Sequence, residues 1–339
     1  MRFCLDRSRT WGLLTILLLI FLGGLCVRGA GYDPLEIGKA APNSGTDLVV
    51  HDRVRNRDIP LRVYLPEAHA PAPVIVLSPG LGGTYAAYTY LSEHWVARGY
   101  VVVCLQHPGS DDTVWKDKPK VEAMLAMWKA ASLQNFLLRV KDVPAVLDQL
   151  ATWNKLSGNI LFGRLDLKHV GMSGHSFGAI TTQAVSGQSF GALGPVFTDP
   201  RITAALALSP SVPKRGDATT AFGSVKIPWM LMTGTMDKSP IGDADAASRL
   251  GVYTNLQGAP KYEVILNKAE HSAFTNRALP GDSEPRDPNH HRVILALSTA
   301  FWDAYLRGDA TAAAWLNGPG PRAMMETTDQ WQLNLGTGG

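Results

Sequence analysis

The sequence predicts an α/β protein with a mostly parallel central sheet and helices on both faces. Between residues 48 and 306, short apolar runs alternate with stretches of helical spacing, which is typical of this class. Several of the runs, such as 73–78, are continuously apolar, as expected of strands buried on both faces. The 339 residues are 45% apolar and 18% charged, a globular composition that suffices for one large domain.

Each predicted element follows from its local pattern. Alternating runs around a polar turn predict a hairpin, compact apolar runs predict buried strands, and Gly99 ends the first helical stretch. The predicted strands are 48–54, 59–65, 73–78, 100–105, 169–173, 202–208, 227–233 and 262–266, the last of the sheet. The predicted helices are 85–98, 121–152 with an interruption near Pro144, 177 onward, and 292–306 as the final helix.

The N-terminus has the pattern of an export signal. A start containing three arginines precedes the uncharged, mostly apolar run 11–27, and small residues at Gly29 and Ala30 suit cleavage. Retention of residues 11–27 as a membrane anchor is the alternative. The sequence therefore predicts a secreted or periplasmic protein, or one associated with a membrane through this segment.

The remaining chain divides into a linker at 31–45, one α/β domain at 46–317 and a C-terminal tail at 318–339. The formal charge of +3 resides entirely in residues 1–30, which leaves the rest neutral and gives no reason to expect nucleic acid as a partner. Cys104, inside the apolar run 100–105, is the one cysteine beyond the targeting segment. We expect it to be a buried structural thiol.

Residues 174–178 read Gly-His-Ser-Phe-Gly, a G-x-S-x-G motif between a predicted strand and a predicted helix. In this context the motif predicts a sharp turn that presents Ser176 as a nucleophile, with the Phe177 N–H facing a developing oxyanion. A Cβ at either glycine is expected to clash with the neighbouring strand or helix. His175 is expected to point away from Ser176 Oγ and to pack. The alternative interpretation of residues 174–178 is an ordinary glycine-bounded turn in which the serine caps the helix that follows.

An acid is expected after a later strand, since the triad order in the α/β-hydrolase fold is serine, acid, histidine. Asp237 follows the predicted strand 227–233 in a Gly-containing turn and is the preferred acid. Asp243 and Asp245 are rivals in the same loop. Their alternative roles are those of solvated loop residues or helix N-caps.

The base is expected in the loop after the next strand, where His271 follows 262–266. The pair His290 and His291 precedes the predicted final helix. No acidic or cysteine partner has metal-ligand spacing with this pair, which indicates surface or helix-start residues. We expect neither a metal nor a cofactor.

The glycine-rich loop 79–84 follows the predicted strand 73–78 and reads Pro-Gly-Leu-Gly-Gly-Thr. Glycines allow the backbone to approach a substrate oxygen closely. We assign the second oxyanion donor to the backbone N–H of Leu81, paired with that of Phe177. A plain glycine-rich turn is the alternative.

Five stretches together resemble the platelet-activating-factor acetylhydrolase group and its bacterial dienelactone-hydrolase-like relatives. They are LSPGLGGTYAAYTYLSEHWVARGYVVVCLQHPGSD, RVKDVPAVLDQL, GHSFGA, TGTMD and AEHSAF. The resemblance runs from about residue 48 to 316, and its motifs are specific together and weak singly. Many relatives have His-Gly where this chain has Pro79-Gly80, a change that leaves the backbone donor at Leu81 in place. The resemblance implies an α/β-hydrolase fold and a metal-independent ester hydrolase acting on short-chain, oxidised-lipid or polyester substrates.

The sequence thus predicts an exported serine ester hydrolase that cleaves a small-molecule or lipid ester through an acyl-enzyme on Ser176. An amidase or peptidase with the same triad, a cutinase-like polyester hydrolase and a catalytically inactive binding protein are the alternatives. Residues 108–140 contain Trp115, Met124, Met127 and Trp128. These side chains form either helix core or a wall over a pocket for apolar acyl groups.

Overall fold

The computed structural model describes residues 31–38, 44–214, 216–279 and 281–336. The predicted targeting segment 1–30 and part of the predicted linker lie outside these residues. Within the described ranges, no helix is both long enough and apolar enough to cross a membrane.

The described residues form an α/β structure around one sheet of nine strands. The strands are β1 Thr46–Asp52, β2 Arg57–Tyr64, β3 Ala72–Ser78, β4 Val101–Leu105, β5 Leu165–His175, β6 Ile202–Leu208, β7 Trp229–Met236, β8 Lys261–Glu270 and β9 Gln330–Asn334. Their order across the sheet is β1-β2-β4-β3-β5-β6-β7-β8-β9. The six strands from β4 to β8 in this order are parallel, whereas β1, β2 and β9 pair antiparallel.

Helices cover both faces of the sheet. They are α1 Thr89–Ala97, α2 Lys120–Ala130, α3 Leu133–Trp153, α4 Phe177–Val185, α5 Ala218–Phe222, α6 Ala246–Asn255, α7 Pro288–Leu306, α8 Ala310–Asn317 and α9 Gly320–Met324. Alternate residues of β3 point to opposite faces. Ile75 and Leu77 pack in the cluster that contains α1 and α7, while Val74 and Val76 pack in the cluster that contains α3. The mostly parallel sheet with two helical layers is therefore as the sequence predicts.

The predicted interruption near Pro144 is wrong. The chain breaks earlier, between α2 and α3, where the Ser132 side chain caps α3 by accepting a hydrogen bond from Asn135 N. Pro144 lies inside α3, flanked by the buried residues Val143 and Val146. A proline costs a helix interior about 3 kcal/mol, and the buried apolar face of α3 offsets that cost.

The strand at 262–266 is not the last of the sheet, and the helix at 292–306 is not the final one. Two helices, α8 and α9, follow α7, and β9 then pairs with β8 along its length. The residues predicted as a tail, 318–339, thus contain a helix and an edge strand. The sequence Gln-Trp-Gln-Leu-Asn alternates exposed and half-buried positions. Such a polar edge strand has too few apolar residues to stand out in sequence.

The described part of the predicted linker is docked onto the domain. Tyr32 Oη donates to Asp303 Oδ2 at 2.8 Å, and Arg98 Nη1 donates to the Asp33 carbonyl at 3.1 Å.

Cys104 is fully buried, as predicted, with its sulfur 3.2 Å from Ser92 Oγ. Burial raises the pKa of this thiol to about 12, so it remains protonated and unreactive at neutral pH.

Candidate active site

Ser176 lies at a sharp turn between the end of β5 and the start of α4. Its φ of 57° and ψ of −116° are strained for a residue with a side chain. A Cβ at Gly174 would overlap the Gly178 carbonyl, and a Cβ at Gly178 would overlap the Ser78 carbonyl. Both glycines of the motif are therefore required by close backbone packing, as the sequence predicts.

The structure brings the three predicted triad residues together. His271 begins the turn after β8, and its Nε2 lies 2.9 Å from Ser176 Oγ. Its Nδ1 lies 2.7 Å from Asp237 Oδ1, on the residue directly after β7. Because a carboxylate can only accept, Nδ1 must carry the proton, and this leaves Nε2 free to accept from the serine hydroxyl. The arrangement can deprotonate Ser176.

The Asp237 carboxylate is completely buried and held on three sides. Thr233 Oγ1 donates to its Oδ2 at 2.9 Å, and Arg249 Nε lies 2.9 Å from its Oδ1. Burial opposes ionisation, but the hydrogen bond from His271 and the charge of Arg249 hold the pKa of Asp237 down at about 2. The carboxylate is therefore charged at neutral pH and can orient the imidazole.

The two rival acids, Asp243 and Asp245, have other structural roles. Asp243 forms an exposed ion pair with Lys214 at 3.1 Å. Asp245 caps α6 by accepting a hydrogen bond from Ser248 N at 2.9 Å. Each rival has the role that the alternative interpretation gave it, and Asp237 alone of the three contacts His271.

Sequence reasoning missed Arg249, which extends from α6 into the site and is buried. Its Nε donates to the Asp237 carbonyl at 2.8 Å, and its Nη1 donates to the carbonyls of Ser209 and Pro210 at 2.8 and 3.1 Å. Its Nη2 lies 3.3 Å from His271 Nδ1. Nothing in the sequence around 249 distinguishes this arginine from a surface residue of a polar helix.

His175 is buried and packs, as predicted, but it also makes two hydrogen bonds. Its Nε2 lies 3.0 Å from the His271 carbonyl, which can only accept, so Nε2 carries the proton. Its Nδ1 therefore accepts from Tyr88 Oη at 3.0 Å, and Tyr88 Oη in turn accepts from Gly80 N at 3.0 Å. Burial, followed by the proximity of His271, holds the pKa of His175 well below its usual value. A neutral His175 thus links the base to the glycine-rich loop.

The glycine-rich loop leaves the predicted donor free. The Gly80 N–H is used by Tyr88, the Gly82 N–H donates to the Ser110 carbonyl at 2.8 Å, and the Gly83 N–H donates to the Gly80 carbonyl at 3.1 Å. Among the described residues, the Leu81 N–H has no acceptor. The Phe177 N–H is the first of α4 and has no acceptor within that helix. Both assigned donors are therefore available to a substrate oxygen.

The segment 108–140 adjoins the same loop. Trp115 Nε1 donates to the Gly82 carbonyl at 2.8 Å, and a Cβ at Gly82 would collide with Trp115 and Met127. Trp115, Met124 and Trp128 are 43%, 46% and 50% exposed, so the core interpretation is wrong for these three side chains. Trp115 and Met127 contact the loop beside the candidate nucleophile. This position is consistent with the other interpretation, a wall over the pocket.

His290 and His291 lie in the first turn of α7, as predicted for helix-start residues. His290 is buried rather than at the surface, and His291 is half-buried. His290 is 7% exposed, with its Nε2 2.9 Å from the Asn267 carbonyl. His291 stacks on Tyr90 with the ring centroids 3.8 Å apart. In the ranges that the structure covers, no group of three or more His, Cys, Asp or Glu side chains is arranged to hold a metal ion.

Comparison with known proteins does not identify a family for this chain. No protein-family model matches the sequence, and no curated protein matches it. The function of the chain is therefore inferred from the geometry of the site.

Proposed function

We propose that this protein is an exported serine ester hydrolase with the α/β-hydrolase fold. The observation that carries the proposal is the hydrogen-bonded chain from Ser176 to His271 to Asp237, with links of 2.9 and 2.7 Å. The strained backbone of Ser176 and its place at the start of α4 support a nucleophile rather than a capping serine. The alternative of a catalytically inactive binding protein predicts that one of these three residues is missing or displaced, whereas all three are present and hydrogen-bonded.

The proposed reaction is a two-step acyl transfer. Ser176 Oγ attacks the ester carbonyl carbon while His271 Nε2 takes the serine proton. The tetrahedral intermediate collapses, the C–O bond to the alcohol breaks, and His271 returns the proton to the leaving alkoxide oxygen. Water then attacks the acyl-enzyme with His271 again as base, which releases the acid and restores the serine.

The charged groups of the site match the charges that develop in this reaction. The negative oxygen of the tetrahedral intermediate is placed to accept hydrogen bonds from the N–H groups of Leu81 and Phe177. In comparable sites the loss of one such donor costs roughly 3 kcal/mol of transition-state stabilisation. The Asp237 carboxylate, with its low pKa, stabilises the imidazolium that forms on His271.

The surroundings of the loop favour an apolar ester. Trp115 and Met127 contact Gly82 beside the Leu81 donor. On α2, large apolar side chains at the spacing i, i+3, i+4 and i+7 are exposed to solvent, namely Val121, Met124, Leu125 and Trp128. Exposed contiguous apolar surface of this kind is uncommon on soluble proteins. It suits a lipid ester, and it also suits the alternative of an insoluble polyester.

The test is hydrolysis of p-nitrophenyl esters from acetate to palmitate by the purified protein and by its Ser176→Ala form. We expect kcat to fall by about 10⁴-fold or more in the variant, because the nucleophile is removed. Ser224→Ala is the matched control, because Ser224 bonds the Gly187 carbonyl outside the site. The chain-length optimum sizes the acyl pocket. A wild-type protein that cleaves none of the esters and is not labelled on Ser176 by a fluorophosphonate contradicts the proposal.

A further inference from the structure

A buried guanidinium that the proposed reaction does not use lies beneath the glycine-rich loop. Arg139 extends from α3 and is fully buried. Its Nη1 donates to Ser110 Oγ at 2.9 Å and its Nε donates to Thr181 Oγ1 at 3.2 Å. Its Nη2 donates to Ser78 Oγ at 3.2 Å and to the Pro79 carbonyl. One side chain thus binds four separate residues.

Three of these acceptors belong to the two segments that supply the oxyanion donors, and the fourth, Ser110, accepts a hydrogen bond from Gly82 N in the glycine-rich loop through its carbonyl. Ser78 and Pro79 lead directly into the loop that carries Leu81. Thr181 lies on α4 and donates to the Phe177 carbonyl at 3.0 Å. The Arg139 guanidinium also lies 4.7 Å above the Phe177 ring. Arg139 therefore contacts the supports of both donors at once.

The charge of Arg139 has no carboxylate directly against it within the described chain, since its acceptors are neutral oxygens. Burial lowers the pKa of this arginine to about 9. A buried cation solvated only by neutral dipoles adds little to stability, and an apolar side chain of similar volume is often equally stable. The cost of burying this charge points to a role besides holding the fold together.

A second chain of hydrogen bonds fixes the direction of the contacts that Arg139 makes. Arginine can only donate, so Ser78 Oγ accepts from Arg139 and its own hydrogen points to His107 Nε2, 2.9 Å away. His107 Nδ1 then donates to Asp142 Oδ2 at 2.8 Å. Asp142 is held in turn by Arg57, whose Nε lies 2.8 Å from Oδ1. This series of hydrogen bonds therefore fixes the end of β3, where the glycine-rich loop begins.

We propose that Arg139 is a positioning residue for the oxyanion hole. It holds residues 79–83 against the start of α4, so that the N–H groups of Leu81 and Phe177 converge on one substrate oxygen. The inference depends on the proposed ester hydrolase function and deepens it. It assigns to α3 a part in transition-state binding without any contact to substrate.

The test compares Arg139→Met and Arg139→Lys with wild type in ester hydrolysis and in binding of a trifluoromethyl ketone. The ketone adds to Ser176 Oγ and places an oxyanion in the hole. For Arg139→Met we expect kcat to fall by about 10–100-fold with KM changed less than about threefold, and ketone affinity to fall in parallel with kcat/KM. The acidic limb of the pH–rate profile stays in place, because Asp237, Arg249, His175 and Ser176 still surround His271. Arg139→Lys recovers part of the loss, because one ammonium can reach the Pro79 carbonyl but cannot span all four acceptors.

The controls separate positioning from folding. Arg201→Met removes an arginine that bonds Asp199, Asp148 and the Pro144 carbonyl outside the site, and we expect it to keep the wild-type kcat. If Arg139→Met does not fold, Arg139→Lys and Ser78→Ala carry the test, with smaller losses in the same two readouts. The inference is overturned if active wild type is matched within about twofold by the folded Arg139 variants. It is also overturned if their pH–rate limb moves, which places the effect on the triad. A wild type that is inert and unlabelled refutes the proposed function instead.

Discussion

The described residues include two Ser–His–Asp hydrogen-bond chains of nearly the same geometry. In the site, the links from Ser176 to His271 to Asp237 are 2.9 and 2.7 Å. Beneath the glycine-rich loop, the links from Ser78 to His107 to Asp142 are 2.9 and 2.8 Å. Residue types and distances alone do not distinguish the two chains.

Their surroundings do distinguish them. Ser176 is part-exposed at a turn with positive φ, whereas Ser78 ends a regular strand and has no exposed surface. Ser78 Oγ accepts a hydrogen bond from Arg139, so its lone pairs are engaged by a cation rather than available for attack. Access to solvent and the absence of a competing donor therefore turn a hydrogen-bonded serine into a candidate nucleophile.

The two acids are held for different purposes as well. Asp237 has one arginine beside it, Arg249. Asp142 has two, with Arg55 Nη1 and Arg57 Nε each 2.8 Å from its Oδ1. A carboxylate fixed by two cations and a neutral histidine acts as a structural anchor for β2 and α3.

The largest expected effect separates the two acids. Asp237→Asn should lower kcat by about 10⁴-fold, because the asparagine favours the wrong tautomer of His271. It should also lower stability, because the buried Arg249 loses its carboxylate partner. Asp142→Asn should mainly destabilise the fold, by about 3 kcal/mol, because Arg57 loses its carboxylate partner and Arg55 keeps only Asp52. Urea unfolding and ester hydrolysis measured on both variants check this. A folded Asp142→Asn protein with a kcat as low as that of Asp237→Asn would make the distinction untenable.

A smaller effect is expected where the start of α4, next to Ser176, packs against the end of β3 at Ser78. A methyl group at Gly178 would overlap the Ser78 carbonyl and approach the Pro79 carbonyl. We expect Gly178→Ala to destabilise the protein by about 3 kcal/mol, because β3 and α4 must move apart. Gly158→Ala is the control, since nothing lies within 4 Å of the new Cβ and only the positive φ of 83° adds about 1 kcal/mol of strain. Equal thermal unfolding of the two variants would show that this contact is not tight.

The smallest effect is a pH dependence of stability. Burial, and then the charge of Arg139, lower the pKa of His107 to about 4 from its ordinary 6.5. As the pH falls, His107 of the unfolded chain therefore takes up its proton near pH 6.5, whereas His107 of the folded protein does so only near pH 4. The contribution of His107 to the free energy of unfolding is thus full above pH 6.5 and falls as the pH drops toward 4. His107→Gln should remove about 2 kcal/mol of the difference in unfolding free energy between pH 7 and pH 4.5.

Urea unfolding at the two pH values measures this difference. His51→Gln, at an exposed histidine, is the matched control. An unaltered pH dependence in His107→Gln would mean that His107 is not held neutral by its surroundings.

Much of the site could be predicted because its signals are local. The glycines around Ser176 are required within one turn of chain, and Asp237 and His271 each follow a readable apolar strand. The positions of Arg139 and Arg249 had no such signal, since a charged residue in a helix is ordinarily solvated. Their burial depends on which elements pack against α3 and α6, and those partners are distant in sequence.

Hydrophobic period and backbone sterics are local properties, and they were enough to predict the parallel sheet, the turn at Ser176 and the strand ends that carry Asp237 and His271. Tertiary packing, in contrast, keeps Pro144 inside α3, adds β9 to the sheet, and leaves Ser176 accessible while it buries Ser78. Those outcomes depend on contacts between segments far apart in the chain. Their energies compete with local propensity and are not written in any one stretch of residues.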